Sequence, residues 1–478
     1  MTSPRLKTRF APSPTGLLHL GNARTALFNY LLAVGADGVF LLRIEDSDAA
    51  RGDEQYRRAL IEDLRWLGLE WDEGPERGGA NGPYAQSERA DIYREYFAAL
   101  EAAGRAYPCF CTERELEIER KTQIAAGHPP RYSGKCRALS AQEVAERRAR
   151  GMSAVLRFRV PEGRDIEFVD RVRGPQRFAT ADIGDFVIRR SDGTPAFFFC
   201  NAVDDALMGV TLVVRGDDHL ANTPRQLLLL EALGLEAPEY AHIPLVVGAD
   251  GVPLSKRGGS RSLAELRAAG YLPAAINNYL ARVGHTYDEQ RLLSLAELAG
   301  AFRLERVHRS PARYDEAQLR HWQREAVRAL PADRLWEWMR PAAEALVPPA
   351  DREAFVEAVR ANVTFPEDVE RWARVIYTDE IALSREAREV IGSAGPEFFE
   401  RSLSAAAALD RPAFEQLAAR TGELTGRRGK ALFQPLRSAI TGEPEGPEMA
   451  KLVPLIGLDR VQARLRRAAA AARAGAPA

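Results

Sequence analysis

Residues 39–44 (VFLLRI) form a nearly continuous apolar run that ends in the polar segment 45–48 (EDSD). A strand that is apolar on both faces must be covered on both faces, which is typical of a parallel sheet flanked by helices. Apolar side chains recur every three or four positions over 20–34, which predicts a helix before this strand. Before the helix, an extended segment at 8–11 leads into 12–16 (PSPTG), whose prolines exclude helix and central strand. This order predicts the start of a parallel α/β sheet.

The sheet pattern is interrupted and then resumes. Residues 105–195 contain alternating segments such as 155–160, which are typical of an α+β insertion. Buried strands return at 210–214 and 243–247. Because ligands collect beyond the carboxyl ends of parallel strands, the polar residues that follow each strand are candidate site residues.

Capping signals mark several helices. Ser87 is the expected cap of a helix over 88–104, and a Thr-Pro pair opens a helix over 223–234 that glycine ends. Residues 262–265 (SLAE) form a capping box. Beyond about residue 290 the chain is rich in Ala, Leu, Arg and Glu, which predicts all-helical C-terminal domains.

A row of arginines near the C-terminus has two interpretations, a solvated helix face or an edge that binds phosphate. No acidic residue interrupts the row, which consists of Arg460, Arg464, Arg466, Arg467 and Arg473.

Length and composition limit the class of protein. The chain has 478 residues, enough for about three domains. Its 66 basic and 67 acidic residues give a net charge of −1, which excludes a histone-like polycation but not a local nucleic-acid-binding patch. No apolar run approaches the roughly 20 residues of a membrane span, and no apolar signal region follows the start. Four cysteines are too few for a disulfide framework, so we expect a cytoplasmic location.

Two stretches are suited to phosphate chemistry. Residues 19–22 (HLGN) lie where a loop meets a helix, and a helix N-terminus presents unpaired N–H groups and a partial positive charge. Residues 254–260 (LSKRGGS) place adjacent cations beside two glycines, which suits a loop that closes over a polyphosphate. Taken singly, each stretch also has an ordinary structural explanation.

Taken together, five stretches occur in a characteristic order: 12–16 (PSPTG), 19–22 (HLGN), 43–46 (RIED), 203–205 (VDD) and 254–258 (LSKRG). This order resembles the class I aminoacyl-tRNA synthetases, and among them the bacterial glutamyl-tRNA synthetases. HLGN resembles the first ATP motif of the class, usually H-I-G-H, and LSKRG resembles the second, K-M-S-K-S. The resemblance runs through nearly the whole chain.

The resemblance implies a Rossmann-like parallel-sheet catalytic domain of the α/β class, split by an α+β insertion and followed by all-helical C-terminal domains. It also implies a two-step reaction in which L-glutamate and ATP give glutamyl-adenylate, and the terminal ribose of tRNA then receives the glutamyl group. Mg²⁺ is expected on the phosphates, and tRNA is expected to bind before glutamate is activated. We expect a monomer that charges tRNA(Glu), with tRNA(Gln) as an additional or alternative substrate.

The implied ATP site joins both motifs. His19 and Lys256 are the expected catalytic residues, because phosphoryl chemistry depends on positioning and charge neutralisation. The ATP-binding residues that the resemblance implies are His19, Gly21, Asn22, Ser255, Lys256 and Arg257.

The implied glutamate site must bind three ionic groups, and a guanidinium fork suits a carboxylate. Arg9 and Arg215 match the family's glutamate-binding arginines, although either one taken singly could be a structural ion pair. Glu45 matches the residue that receives the α-amino group, and Ser13 and Asn201 match the polar wall.

Two positions depart from the family. The family often has Tyr where this chain has Phe197, and loss of the hydroxyl removes a possible hydrogen bond to glutamate of about 1 kcal/mol. Many members begin the second motif with Lys, whereas this chain has Pro253 before Leu254. Lys256 is therefore expected to carry more of the cationic role.

The cysteines suggest a zinc site. Some relatives hold structural zinc with a Cys-x-Cys pair and a distant pair, and this chain has Cys109, Cys111 and Cys136 with Tyr132 nearby. Three cysteines and a tyrosine give the four ligands that zinc usually takes, and free thiols are the alternative. His128 is another candidate ligand, whereas Cys200 is expected to be a core residue.

The expected domains are a first catalytic half at 1–104, an acceptor-end-binding insertion at 105–195, a second catalytic half at 196–240, a stem-contact region at 241–325 and a helical anticodon-binding region at 326–478.

Two rival functions stay open. A tRNA-modifying glutamyl transferase resembles only the first part of the chain, so the long helical region argues against it. A non-catalytic tRNA-binding protein would have no need of the retained site residues.

Overall fold

The computed structural model describes residues 5–47, 54–128, 130–254 and 261–474. The chain divides into two compact units. The first comprises Met1–Leu266 and Ile276–Leu319, and the second comprises Arg267–Ala275 and Arg320–Ala478. Within the described ranges, no helix is both long enough and apolar enough to cross a membrane.

The strands of the described residues are short. They are β1 (Lys7–Phe10), β2 (Val39–Leu42), β3 (Ala106–Cys109), β4 (Val155–Phe158), β5 (Asp165–Asp170), β6 (Gly174–Ala179), β7 (Phe186–Arg189), β8 (Leu212–Gly216), β9 (Glu239–Ile243), β10 (Val246–Val247) and β11 (Ala312–Arg313).

Helices connect these strands and then make up most of the remaining chain. As far as residue 301 they are α1 (Leu20–Gly35), α2 (Glu54–Trp66), α3 (Ala90–Ala102), α4 (Glu113–Ala125), α5 (Ala141–Ala149), α6 (Thr180–Ile183), α7 (Phe197–Leu207), α8 (Thr223–Leu233), α9 (Leu263–Ala268), α10 (Pro273–Arg282) and α11 (Leu295–Ala301). Beyond it they are α12 (Glu316–Ala329), α13 (Ala332–Ala343), α14 (Arg352–Val359), α15 (Pro366–Tyr377), α16 (Arg385–Ala394), α17 (Pro396–Ala407), α18 (Phe414–Thr425), α19 (Lys430–Thr441), α20 (Met449–Ile456) and α21 (Leu458–Ala474).

Parallel pairing organises the first unit. β1 pairs with β2 in parallel, from Lys7 opposite Val39 to Phe10 opposite Leu42, and β8 pairs with β9 in the same sense. The backbone N–H of Thr211 donates to the carbonyl oxygen of Lys7 at 3.0 Å and so connects β1 with the start of β8. β1 is buried along its whole length, as expected for a strand covered on both faces. The predicted α/β fold class is confirmed.

The predicted insertion shares a sheet with this core. β5 pairs in parallel with β9 and antiparallel with β6, which gives the strand order β6-β5-β9-β8. β3, β4 and β7 form a separate antiparallel sheet. Residues 165–179, which the sequence pattern assigns to the insertion, therefore lie in one sheet with β8 and β9.

Two local predictions are wrong. The predicted strand 243–247 is two strands, β9 and β10, because Pro244 between them has no N–H to continue a ladder. Ser87 does not cap a helix, since its N–H and hydroxyl both donate to the Asp46 carboxylate at 2.8 Å and α3 begins at Ala90.

The capping box at 262–265 is confirmed. The N–H of Ser262 donates to the Glu265 carboxylate at 2.6 Å, and the N–H of Glu265 donates to Ser262 Oγ at 3.2 Å. This reciprocal pair satisfies N–H groups that a helix start leaves without intrahelical partners.

The second unit is helical, and one buried arginine helps to hold it together. Arg464 on α21 is 2% exposed and donates to the carbonyl oxygens of Ile440 at 2.6 Å and of Val375 and Thr378 at 2.7 Å. Arg466, two residues along, is exposed. The arginine row is therefore neither wholly a solvated face nor wholly a phosphate edge, because Arg464 is a structural donor.

We predict that Arg464→Ala lowers the free energy of unfolding by about 3 kcal/mol, because three buried carbonyl groups lose their donor and a cavity forms. Urea denaturation of the full chain, followed by circular dichroism, measures the change. The control Arg466→Ala should change the value by less than about 0.5 kcal/mol. Equal effects of the two substitutions would contradict the assignment.

Candidate active site

A cavity of about 370 Å³ lies where β1, β8 and β9 end and α1 begins. The carboxyl ends of parallel strands meet at one edge of a sheet, so this is the expected position for a ligand. Nine of the predicted site residues line the cavity: Arg9, Ser13, His19, Gly21, Asn22, Glu45, Phe197, Asn201 and Arg215.

The first predicted phosphate motif lines this cavity, and the described residues next to the second motif lie close to the first. Leu254 lines the cavity, and beyond residue 260 Ser262 forms a β-bridge with His19, while the N–H of Leu263 donates to the carbonyl oxygen of Leu18 at 2.8 Å. The chain on either side of the second motif is thus anchored beside the first. Three predicted ATP-binding residues lie outside the described residues: Ser255, Lys256 and Arg257.

Helix α1 starts at the rim of the cavity. His19 is its N-cap residue, and the side chain makes no capping hydrogen bond. A Cβ added at Gly21 would lie 3.3 Å from His19 Nδ1, so glycine leaves the space that the imidazole uses. The N–H groups of the first turn and the helix dipole give this end a partial positive charge, which favours an anionic ligand.

Guanidinium and carboxylate groups alternate behind the cavity wall. Arg9 donates to Asp205 Oδ1 at 3.1 Å, and Arg43 donates to the same oxygen at 2.8 Å. Burial alone would raise the pKa of Asp205, but the two arginines hold it below its usual value. Arg43 also donates to Glu45 Oε1 at 3.1 Å. Arg9 therefore forms a structural ion pair in addition to lining the cavity.

Two amides connect Glu45 with Arg215. Asn201 Nδ2 donates to Glu45 Oε1 at 2.5 Å, and Gln226 Nε2 donates to Asn201 Oδ1 at 2.7 Å. Gln226 Oε1 in turn accepts from Arg215 Nη2 at 2.7 Å. Burial raises the pKa of Glu45 against the opposing charge of Arg43. Each amide is held in one orientation, since it donates on one side and accepts on the other.

Arg215 differs from Arg9 in its partners. Its Nε donates to His242 Nε2 at 3.1 Å, and its Nη2 donates to Thr223 Oγ1 at 2.9 Å and to Gln226. None of these acceptors is a carboxylate, and Nη1 has no hydrogen-bond partner among the described residues. Burial lowers the pKa of Arg215 to about 10, so the group stays charged at neutral pH. A buried cation without a carboxylate, beside a cavity, is arranged to bind an anion.

Asp218 and His219 also line the cavity, although neither is among the residues predicted from the sequence. The His219 ring lies 5.5 Å from the Phe197 ring between centroids, and Asn222 Nδ2 lies 3.0 Å from His219 Nδ1. Burial lowers the pKa of His219. Both residues come directly after β8, and this position beyond a strand end was the signal that could have identified them.

The cysteines of the antiparallel region form a second constellation. The Sγ atoms of Cys109, Cys111 and Cys136 lie within 4.8 Å of one another, and those of Cys111 and Cys136 are 3.7 Å apart. Tyr132 Oη lies 3.4 Å from Cys109 Sγ and 3.8 Å from Cys111 Sγ. Tetrahedral zinc with bonds of about 2.3 Å separates its sulfur ligands by roughly 3.8 Å. The fold thus brings the four predicted ligands together at a suitable spacing.

The remaining candidates stand apart from this cluster. His128 is exposed and is not among the grouped residues. Cys200 is buried elsewhere, with its Sγ 3.6 Å from Gln86 Oε1, as expected for a core residue.

A cation lies next to the cysteine cluster. The guanidinium carbon of Arg157 lies 3.9 Å from the centroid of the Tyr132 ring, and its positive charge favours an anionic cluster.

A larger cavity, of about 790 Å³, lies in the helical unit and contains none of the predicted site residues. Its lining is mainly apolar and includes Phe414 and Phe433 together with Arg427 and Arg428.

Two family descriptions match the chain. Residues 5–321 match the tRNA synthetases class I (E and Q) catalytic domain, and residues 331–469 match an anticodon binding domain. The first match covers more than half of the chain.

Individual relatives are similar over almost their full length. Glutamate–tRNA ligase 2 of Nitrosococcus oceani is 56% identical over 466 residues, which cover 98% of each chain. Glutamate–tRNA ligase 1 of Halorhodospira halophila is 56% identical over 469 residues, again 98% of each chain.

Two solved structures of similar proteins superimpose on this chain over nearly its full length. A glutamate-tRNA synthetase from Elizabethkingia anophelis superimposes with a TM-score of 0.87 at 29% identity, over 98% of this chain and 100% of the other. A glutamate tRNA ligase from Elizabethkingia meningosepticum, in complex with its amino acid, gives a TM-score of 0.88 at 29% identity, over 98% and 99% of the chains. The chain therefore belongs to the class I tRNA synthetase family of the E and Q type, with a catalytic and an anticodon-binding domain.

Proposed function

We propose that this chain joins L-glutamate to tRNA(Glu) with ATP as the energy source. One observation carries the proposal: a buried cation without a carboxylate partner among the described residues, Arg215, lies in the same cavity as the start of α1. This combination suits a small anionic amino acid beside a polyphosphate. The relatives named glutamate–tRNA ligases, which match nearly the full chain, support the same activity.

Arg215 binds a carboxylate of glutamate in this proposal, since its Nη1 has no other acceptor among the described residues. Glu45 receives the α-amino group, because a buried carboxylate at the strand end complements an ammonium. Ser13 and Asn201 supply polar contacts, and Arg9 adds positive charge that Asp205 partly neutralises.

Phe197 gives the glutamate site an aromatic wall and no hydroxyl group. Its ring lies beside His219, whose imidazole offers the hydrogen-bonding capacity that a tyrosine at position 197 would have supplied. His219 is thus the replacement that this chain presents in the cavity.

ATP is expected to place its phosphates at the start of α1, against His19, Gly21 and Asn22. Lys256, with Ser255 and Arg257, completes the proposed set from the second motif, although these three lie outside the described residues. Mg²⁺, when bound to ATP, supplies charge neutralisation and orientation of the phosphates.

The chemistry follows in two displacements. An oxygen of the α-carboxylate of glutamate attacks the α-phosphorus of ATP and forms a P–O bond, while the bond to pyrophosphate breaks. A terminal ribose hydroxyl of tRNA then attacks the carbonyl carbon of the adenylate, the bond from that carbon to the phosphate oxygen breaks, AMP leaves, and the hydroxyl proton is released to solvent. The protein contributes positioning and positive charge, which is what phosphoryl transfer chiefly requires.

We predict that glutamate-dependent exchange between ATP and pyrophosphate occurs only when tRNA is present. The resemblance implies that tRNA binding precedes activation, whereas a tRNA-modifying transferase shows exchange without tRNA and a binding protein shows none. Incorporation of labelled pyrophosphate into ATP, with and without purified tRNA(Glu), measures the exchange.

Charging assays with purified tRNA(Glu) and tRNA(Gln) then identify the accepted tRNA, and exclusive charging of tRNA(Gln) would refute our assignment.

We predict that Arg215→Gln raises KM for glutamate about 100-fold, because loss of a buried charge pair costs about 3 kcal/mol, and leaves KM for ATP within about 3-fold. Exchange kinetics in the presence of tRNA give both constants. Arg225→Gln is the matched control, since Arg225 lies on α8 and does not line the cavity. An unchanged response to glutamate concentration would show that Arg215 is purely structural.

We also propose structural zinc at Cys109, Cys111, Cys136 and Tyr132. The support is the spacing of these four ligand atoms and the cation Arg157 next to them. Zinc there would connect β3 with the segment around Cys136 and so stabilise the antiparallel region.

We predict that the purified protein contains about one zinc per chain and that Cys111→Ser removes most of it, because zinc needs the thiolate ligand. Elemental analysis by plasma mass spectrometry provides the measurement. Cys200→Ser, which changes a thiol outside the cluster, should retain the metal. Retention of zinc after Cys111→Ser, or its absence from the unmodified protein, rules the site out.

A further inference from the structure

Asp170 and His242 form a fully buried hydrogen-bonded pair next to Arg215. His242 Nδ1 lies 2.6 Å from Asp170 Oδ2, and both side chains are 0% exposed. His242 Nε2 accepts from Arg215 Nε at 3.1 Å. Neither Asp170 nor His242 lines the cavity, so any effect on a ligand there must pass through Arg215.

Backbone donors fix the protonation of Asp170. Its Oδ1 accepts the N–H groups of Val172 at 2.9 Å and Arg173 at 2.7 Å, and the N–H of His242 is shared between Oδ1 at 3.2 Å and Oδ2 at 3.1 Å. Burial alone would raise the pKa of Asp170, but the hydrogen bonds from His242 and these backbone groups hold it below its usual value. Asp170 is therefore a carboxylate, and its Oδ2 accepts the proton on His242 Nδ1.

This arrangement fixes the tautomer of His242. With the proton on Nδ1, the lone pair of Nε2 faces Arg215 Nε and Thr223 Oγ1, the latter at 3.2 Å. Burial and the charge of Arg215 lower the pKa of His242, which keeps the ring neutral. Arg215 Nη2 is held separately by Thr223 and Gln226. Nη1 is the guanidinium nitrogen without a hydrogen-bond partner among the described residues, and Arg215 lines the cavity.

We propose that Asp170 and His242 are positioning residues for substrate recognition. The Asp170 carboxylate sets the imidazole tautomer, and the imidazole lone pair sets the orientation of the Arg215 fork toward a carboxylate of the amino acid substrate. This inference rests on the proposed function, in which Arg215 binds glutamate. The pair acts on glutamate affinity and leaves ATP binding and the chemical steps alone.

Asp170→Asn tests the tautomer. The N–H groups of Val172 and Arg173 bond to Oδ1 alone and require an acceptor there, and the N–H of His242 can keep its bond to the same oxygen. The new amide nitrogen therefore takes the Oδ2 position and donates to His242 Nδ1. The imidazole proton then moves to Nε2, where it opposes the N–H of Arg215. We expect KM for glutamate to rise about 10-fold to 100-fold, while KM for ATP and kcat at saturating glutamate stay within about 3-fold.

Two substitutions of His242 separate orientation from packing. His242→Gln places an amide oxygen near the position of Nε2 and keeps an acceptor for Arg215, whereas His242→Asn keeps a donor for Asp170 and removes that acceptor. We expect His242→Gln to hold KM for glutamate within about 5-fold, and His242→Asn to raise it at least as much as Asp170→Asn does. Thermal midpoints of the full-length variants report packing separately.

The outcomes distinguish failure of the positioning role from failure of the proposed glutamate site. If Arg215→Gln weakens glutamate binding but Asp170→Asn and His242→Asn do not, the positioning role is overturned and the proposed function stands. If Arg215→Gln has no effect on glutamate, the glutamate site itself is wrong. If His242→Gln and His242→Asn raise KM for glutamate equally, the pair is only structural. The same holds if the loss of glutamate affinity is proportional to the fall in thermal midpoint across the variants. Should Asp170→Asn fail to fold, the His242 pair decides.

Discussion

The fully buried guanidinium of Arg43 is the constraint around which the catalytic unit is arranged. It donates to Asp205 and Glu45 and lies 3.9 Å from Asp204, and its side chain is 0% exposed. A guanidinium at this depth without carboxylates would cost several kcal/mol. The three acidic residues must therefore converge on it, which brings α7 against the residues that follow β2. Because α7 also carries Phe197 and Asn201, the same ion network places one wall of the cavity.

Arg215 shows the opposite electrostatic situation. Arg9 and Arg43 have carboxylate partners within the protein, whereas the described hydrogen-bond acceptors of Arg215 are an imidazole, a hydroxyl and an amide. These neutral groups hold the guanidinium in place but leave its charge unbalanced. Such an arrangement reduces the stability of the empty protein and increases its affinity for an anion, and this trade-off is common at functional sites. The acidic amino acid of the proposed reaction supplies the missing negative charge.

The polar groups around Arg215 form two hydrogen-bond series that both start at its guanidinium, which only donates. One series runs from Arg215 through His242 to Asp170, and the other runs from Arg215 through Gln226 and Asn201 to Glu45. Since each amide or imidazole donates on one side and accepts on the other, a change of protonation at either terminal carboxylate alters the donor pattern along its own series as far as Arg215. The first series also connects β5, in the predicted insertion, with the strand end that lines the cavity.

Local periodicity and turn chemistry were enough to predict the α/β class, the helix at Leu20 and the capping box at Ser262. The family resemblance, carried by motifs at strand ends, supplied the nine predicted residues that line the cavity. The sequence predicted Ser87 wrongly as a cap, since the competing acceptor, Asp46, is distant in the chain. It did not predict Asp170, His242 or Gln226, and it left open whether Arg215 was an ion-pair member. Those questions depend on which distant groups meet when the chain folds, so the three-dimensional arrangement was needed to show that Arg464 is a structural donor and that Arg215 lacks a carboxylate partner among the described residues. A side chain's charge is local, but its partners depend on how the chain folds.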